Sequence, residues 1–391
     1  MFKCTGACHE CGRCRNAGAD DSKIKMLTYP EGFRADRGAG LGVAFDIGTT
    51  TVAGMLWDFA LGQQLAAAAM PNPQGDFGKD VISRIAYCGK DEEKLQKLRS
   101  LITVCMNSLI AELCRKSGRC AGEITRAAVC GNTSMSHIFA GYSPSGLAFA
   151  PFTPAYTGTL ELTAEEAMLD LPGCSQVTVL PNIAGHVGGD ITAGMLALGI
   201  LNMEGLNLFI DIGTNGEIVL ADEKEMLTCS TAAGPAFEGS EVKCGSNIIE
   251  LIADMLDAGQ IDRTGRLLTE ETQITQQDIR DIQLAKGAIS AGIEILLKRA
   301  GRKSGELNRI IIAGAFGNNI KKESAIRIGL VPEVKPEKII SAGNAAGAGV
   351  SMALVNADIM KQAESIPKKI KHVELAEEPE FQETFLKAMD F

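Results

Sequence analysis

The stretch Phe45-Asp46-Ile47-Gly48-Thr49-Thr50 decides how the chain reads, because it returns as Ile210-Asp211-Ile212-Gly213-Thr214-Asn215, an offset of 165 residues from Asp46 to Asp211. Each copy is an apolar run that ends in Asp, turns on Gly with small hydroxyl or amide residues, and continues into a second β-type run, Thr51 to Trp57 or Glu217 to Ala221. A Gly turn between two strands lets backbone N–H groups converge on one point, and adjacent Thr hydroxyls add donors, which suits phosphate oxygens. The Asp at the end of each first strand is placed to hold Mg2+ through water, because Mg2+ keeps most of its hydration shell. The plain alternative is a tight hairpin turn without a ligand; two copies at lobe spacing weigh toward function. The repeat predicts two homologous lobes, with the phosphates of one nucleotide in the cleft between them.

The rest of the chain agrees with two lobes. Its 391 residues exceed one compact core, and 46% apolar with 22% charged residues is globular composition. The net charge of −10, with no basic run longer than Lys368, Lys369 and Lys371, argues against nucleic acid and anionic membranes as partners. The most apolar later stretch, 191 to 210, is interrupted by Asn202, Glu204 and Asn207, and residues 1 to 14 are polar, so a cytoplasmic location is expected.

From Gly40 onward short β-rich runs alternate with helical patterns, an α/β signature. Strands are expected at 42–45, 51–57, 126–130, 177–180, 206–210, 217–221 and 309–313. Amphipathic helices are expected over 94–116, where Leu95, Leu98, Ile102, Cys105, Leu109 and Leu113 recur every three or four residues, and over 278–299. Four boundaries follow: a Cys-rich head and linker over 1–38, one lobe over 39–205, a second over 206–358, and a tail over 359–391. The acidic stretch 373 to 383 reads as solvated surface, with a docking segment as the alternative.

Three further segments fall in the order a split nucleotide site requires. Pro181-Asn182-Ile183-Ala184-Gly185-His186-Val187-Gly188-Gly189-Asp190 leads into a small-residue helix; the run 309–313 enters Gly314-Ala315-Phe316-Gly317-Asn318; and Gly343-Asn344-Ala345-Ala346-Gly347-Ala348-Gly349 opens a second small-residue helix. This layout resembles the acetate and sugar kinase, Hsp70 and actin superfamily. The resemblance implies an actin/Hsp70-like (ASKHA) ATPase with two ribonuclease H-like lobes around a nucleotide cleft. It assigns Asp46, Gly48, Thr49 and Thr50 to the first phosphate loop and Asp211, Gly213, Thr214 and Asn215 to the second. Asp190 matches the acidic residue that helps hold Mg2+ or the attacking water. Gly314, Ala315, Gly317 and Asn318 match the adenosine motif, and Lys286 and Ser290 lie in a helix resembling the one that contacts adenosine. No Walker A motif competes, and the glycines at 38, 40 and 42 precede a strand where a dinucleotide fingerprint follows one.

Narrower signals are Cys130-Gly131-Asn132-Thr133-Ser134-Met135-Ser136-His137, Gly234-Pro235-Ala236-Phe237-Glu238-Gly239 and the segment 314–318. Together these are similar to the reductive activators of corrinoid enzymes, ATP-dependent electron donors that return an inactive Co(II) corrinoid to Co(I). The resemblance spans residues 40 to 355. Glu238 reads either as a solvated charge or as a residue facing the nucleotide. Many members begin with a [2Fe–2S] ferredoxin domain followed by linker and middle domains, for which this sequence leaves no room; Cys4, Cys8, Cys11 and Cys14 stand in that place. Four thiolates at this spacing suit a [4Fe–4S] cluster, with a structural Zn2+ as the alternative. The remaining cysteines lack ligand spacing, Cys105 and Cys130 read as small buried hydrophobes, and His137 and His186 read as hydrogen-bonded structural histidines.

The expected cofactors are therefore ATP, Mg2+ and the cluster. The expected partners are a corrinoid protein and an upstream electron donor such as a ferredoxin, with a homodimer left open. Two rivals stay open: an electron donor to another low-potential metalloenzyme, of the 2-hydroxyacyl-CoA dehydratase or double-cubane type, and a small-molecule kinase, in which the Cys-rich head has no role.

Overall fold

The computed structural model describes residues 29–234, 236, 245–269, 272, 274–314 and 320–391. Strands β1 (Leu41–Ile47), β2 (Thr51–Asp58), β3 (Gln63–Pro71), β4 (Ile124–Gly131), β5 (Leu160–Thr163) and β6 (Gln176–Val179) form a six-stranded sheet in the order β3-β2-β1-β4-β6-β5. Strands β7 (Leu206–Ile212), β8 (Gly216–Ala221), β9 (Met226–Thr231), β10 (Leu307–Ala313), β11 (Ile339–Gly343) and β12 (Ile370–His372) form a second, ordered β11-β10-β7-β8-β9-β12. The series β3-β2-β1-β4-β6 and β9-β8-β7-β10-β11 are one arrangement used twice. An antiparallel meander is followed by two strands added in parallel.

The chain divides into two units. The first holds the described residues up to Leu201 with Asn344–Ile370; the second holds Asn202–Gly343 with Lys371–Phe391. In each, the central strand, with an antiparallel neighbour on one side and a parallel one on the other, is buried on both faces. β1 and β7 are buried at every position except the aspartates, Asp46 and Asp211, which are half-buried.

In the first unit the helix Glu92–Ser117 lays Leu95, Leu98, Ile102, Leu109 and Leu113 against β2 and β3. Asp91 caps its first turn, accepting from the Glu93 and Lys94 N–H groups, and Gly118 ends it at a φ of 67°. The helices Gly189–Leu198 and Ala345–Val355 pack against each other at backbone distance. A Cβ on Gly349 would lie 1.7 Å from the Ala193 carbonyl oxygen. In the second unit the helix Gln276–Arg299, begun by a Thr275–Asp278 capping box, lies against β8 and β9 and carries the helix Phe381–Ala388 on its other side.

Two expectations change. The linker end of the segment expected over 1–38 is packed where it is described. Tyr29 stacks on Phe33 at 5.3 Å and meets Trp57 edge-on at 5.5 Å, and the Asp36 carboxylate accepts from the Ala357 N–H at 2.8 Å. Its two aromatic residues outweigh the polar composition around them. The acidic stretch 373–383 exposes Glu377, Glu380 and Glu383 as a solvated surface does, but it is also anchored: Val373 and Leu375 are buried and the Val373 N–H donates to the Thr228 carbonyl at 2.8 Å. Its apolar residues alternate with the glutamates that dominate the charge count.

Candidate functional site

In the first unit the hairpin at 46–51 is closed by the Gly48 N–H donating to the Thr51 carbonyl at 3.0 Å. Donors from outside the hairpin take the next three carbonyls. Asn72 Nδ2 donates to the Gly48 carbonyl at 2.9 Å, Arg84 Nη2 to the Thr49 carbonyl at 2.6 Å, and the Asn72 N–H to the Thr50 carbonyl at 2.8 Å. The Thr49 hydroxyl oxygen accepts from Asn132 Nδ2 at 3.0 Å. Arg84 is 1% exposed and also donates to the Gly78 carbonyl, to Gln74 Oε1 and to Met135 Sδ. A guanidinium carries five donors in a fixed fork, and burial makes an unmade hydrogen bond costly, so the side chain is tied to one place.

Asp46 sits opposite Cys130 in the parallel register of β1 and β4. Its Oδ2 accepts from Asn344 Nδ2 at 2.8 Å, and Cys130 Sγ lies 3.9 Å from Oδ1 and 3.7 Å from the Ala346 carbonyl. Burial raises the Asp46 pKa to about 6, opposed by the hydrogen bonds from Asn344 and Cys130. Cys130 is buried as expected, yet it contacts a carboxylate and so does more than fill space. Asp190 lies in the first turn of the helix Gly189–Leu198 and its Oδ1 accepts from the Ile191 N–H at 2.8 Å. The segment before that helix is bound to the 130–137 motif, since Thr133 Oγ1 donates to the Ala184 carbonyl at 2.7 Å. The first unit thus gathers 46–50, 130–133, 184–190 and 344–347, four segments that the sequence marked separately.

The second unit repeats the hairpin, with the Gly213 N–H donating to the Asn215 carbonyl at 2.9 Å. Asp211 pairs in register with Glu217 on β8 and with Ala313 on β10, as Asp46 pairs with Ala53 and Cys130. Gly314 therefore follows Ala313 where Gly131 follows Cys130, a correspondence not visible from the first repeat alone. Gly314 has a φ of 92°, and a Cβ there would lie 2.3 Å from the Ile212 carbonyl oxygen and 2.8 Å from Asp211 Oδ1. Only glycine fits beside this carboxylate. Thr214 is buried and Ser290 is half-buried. Lys286 is 1% exposed; its Nζ donates to the Asp390 carbonyl and lies 5.1 Å from the Phe391 ring, and burial lowers its pKa to about 8. The C-terminal residues Asp390 and Phe391 therefore stand at the Lys286 ammonium.

Glu238, Ala315, Gly317, Asn318, Cys4, Cys8, Cys11 and Cys14 lie outside the described residues. Among the described residues no cluster of three or more His, Cys, Asp or Glu side chains could hold a metal ion, and no helix is long and apolar enough to cross a membrane. His137 is structural: fully buried, its Nδ1 lies 2.7 Å from the Thr133 carbonyl and its Nε2 accepts from the Ala155 N–H at 2.9 Å. The sequence reading missed Asn72 and Arg84. A signal existed for Asn72, which stands before Pro73 as a helix cap does. Arg84 reads as an ordinary surface arginine in the helix Val81–Cys88.

Comparison with known proteins gives a consistent answer. A family model described as the RACo middle region matches residues 41–203, and one described as the C-terminal domain of RACo, the ASKHA domain, matches 205–246 and 268–391. The expectation that the chain has no room for a middle domain is thereby corrected: residues 41–203, read above as the first ATPase lobe, match that region. The chain is 32% identical over 412 residues to the corrinoid activation enzyme RamQ of Eubacterium limosum, covering 88% of this chain and 69% of the relative. It is 24% identical over 337 residues to the [Co(II) methylated amine-specific corrinoid protein] reductase of Methanosarcina barkeri, covering 68% and 62%. A solved reductive activator for a corrinoid, iron-sulfur protein superposes with a TM-score of 0.83 at 33% identity, covering 90% of this chain and 66% of that one. The chain spans about two thirds of the length of these relatives.

Proposed function

The chain belongs to the RACo family of reductive activators of corrinoid proteins, with a C-terminal domain of ASKHA type, and from that premise we propose that it couples ATP to electron transfer and returns a corrinoid protein from Co(II) to Co(I). The observation that carries the reading is the hairpin pair: Asp46 and Asp211 end the central strands of two sheets with the same strand order, each beside a Gly-Thr turn. In this reading Gly48, Thr49 and Thr50 receive phosphate oxygens in one unit and Gly213, Thr214 and Asn215 do so in the other. Asp46 and Asp211 would each hold hydrated Mg2+, and Asp190 would orient the attacking water. The residues fit such a cation. Asp46 is a half-buried carboxylate whose pKa desolvation raises, and a hydrated cation beside it would favour the charged form. ATP supplies the free energy that the electron requires, and it acts only through different affinities for two states of the complex.

The electron path belongs to the same proposal. Cys4, Cys8, Cys11 and Cys14 hold a [4Fe–4S] cluster, and the support for it is their spacing and the redox character of the family. The client is a corrinoid protein and the donor a ferredoxin.

The test is anaerobic iron and sulfide analysis with an ultraviolet–visible spectrum, followed by reduction of a Co(II) corrinoid protein with and without MgATP. The expected protein is brown, holds about four irons per chain, and forms Co(I) only with MgATP. Asp46→Asn and Asp211→Asn should each slow that reaction by at least about 100-fold. A colourless protein with stoichiometric zinc sinks the electron-carrier half, and equal reduction without ATP sinks the coupling.

A further inference from the structure

Three asparagines in the first unit each do two things. Asn72 Oδ1 accepts from the Gln74 N–H at 3.0 Å, Asn132 Oδ1 from the Met135 N–H at 3.0 Å, and Asn344 Oδ1 from the Gly347 N–H at 2.7 Å. Each therefore caps the helical turn that follows it, the segments Pro73–Phe77, Thr133–Ala140 and Ala345–Val355. The cap also settles the orientation of the amide, since the oxygen is taken by the helix and the nitrogen must face the other way. All three nitrogens face the same hairpin. They reach the Gly48 carbonyl, the Thr49 hydroxyl oxygen and Asp46 Oδ2.

The effect on the turn follows from peptide geometry. A trans peptide is planar, with its C=O and the next residue's N–H pointing in opposite directions. Holding the Gly48 carbonyl from one side with Asn72 aims the Thr49 N–H at the other. Holding the Thr49 carbonyl with Arg84 does the same for the Thr50 N–H. A Thr49 hydroxyl whose oxygen accepts from Asn132 has its own hydrogen left to donate. Asn344, holding one oxygen of Asp46, fixes the plane of that carboxylate.

We infer that Asn72, Asn132 and Asn344 are positioning residues that preset the first hairpin for the phosphate end of a nucleotide, with Arg84 completing the set. The inference rests on the nucleotide reading proposed above, and it assigns that reading a mechanism: three helix starts and one anion-binding turn are fixed by the same side chains. Ser caps a helix about as well as Asn but lacks the amide nitrogen that reaches the hairpin, so Asn→Ser separates the two jobs.

The test uses the full chain, with binding of magnesium adenylyl imidodiphosphate and of adenosine measured by calorimetry, and melting recorded without ligand. Asn132→Ser and Asn344→Ser should melt near the parent protein. Their affinity for the triphosphate analogue should fall by about tenfold, as the loss of one hydrogen bond in a charged site predicts, while adenosine affinity holds. If Asn132→Ser does not fold, Asn344→Ser puts the same question on a different helix. Unchanged analogue affinity in a folded variant overturns the inference alone, as does equal loss of both ligands together with a lowered melting temperature. A parent protein that binds no analogue overturns the nucleotide reading and this inference with it.

Discussion

His137 shows burial and hydrogen bonding deciding a residue's chemistry. Its Nε2 accepts a backbone N–H, so the ring is neutral with the proton on Nδ1, and Tyr156 stacks on it at 4.4 Å. Burial lowers its pKa from 6.5 to about 4. Above pH 6.5 neither the folded nor the unfolded chain protonates this ring. Between 6.5 and about 4 only the unfolded chain does, so stability falls by about 1.4 kcal/mol per pH unit and levels off below. Urea midpoints at pH 7 and pH 5 check this. A His137→Gln protein should lack that part of the slope, and equal slopes in both proteins would contradict it. The same residue-scale logic governs Asp46, where Asn344 and Cys130 oppose the cost of burying a carboxylate.

At the scale of elements, the helix starts matter more than the helices. Asn132 and Asn344 begin their helices beside the hairpin, so helix packing and site geometry are set together. The helix Ala345–Val355 is buried along its whole length and meets the helix Gly189–Leu198 through Gly349. The clashing atom is backbone, which cannot rotate away. Gly349→Ala should therefore cost about 2–3 kcal/mol or more, read as a lowered urea midpoint. Gly173→Ala, where a Cβ meets nothing within 4 Å, is the matched control and should be near neutral. A neutral Gly349→Ala would show that the two helices separate more easily than their contact implies.

At the scale of the whole molecule, the chain leaves the first unit after Leu201, returns at Asn344 and leaves again after Ile370. Each unit is therefore completed by a distant stretch of sequence. Residues 371–391 complete the second unit. Val373 bonds to Thr228, the helix Phe381–Ala388 covers the helix Gln276–Arg299, and Gln283 Nε2 donates to the Met389 carbonyl at 2.9 Å. Deleting 371–391 should lower the melting temperature of the second unit by at least about 5 °C and make 202–343 easier to proteolyse, with the first unit unchanged. Unaltered proteolysis of 202–343 would rule this support out.

The chain's sequence already contains the two hairpins, the α/β alternation around them, and the two long amphipathic helices, each of which starts within two residues of its expected position. Those features are written within single windows, as a repeat, a turn or a period. It also carried enough specific motifs to indicate the family. What surrounds the first hairpin is settled instead by where distant segments dock. Asn344 reaches Asp46 across 298 positions, Asn132 reaches Thr49 across 83, and Arg84 reaches it across 35. Cys130 meets Asp46 because β4 adds to β1 in one parallel register. No local propensity encodes such meetings, because each depends on where a returning helix or strand docks. Docking is fixed by burial summed over many side chains, and a buried arginine then looks, in sequence, like any arginine on a surface.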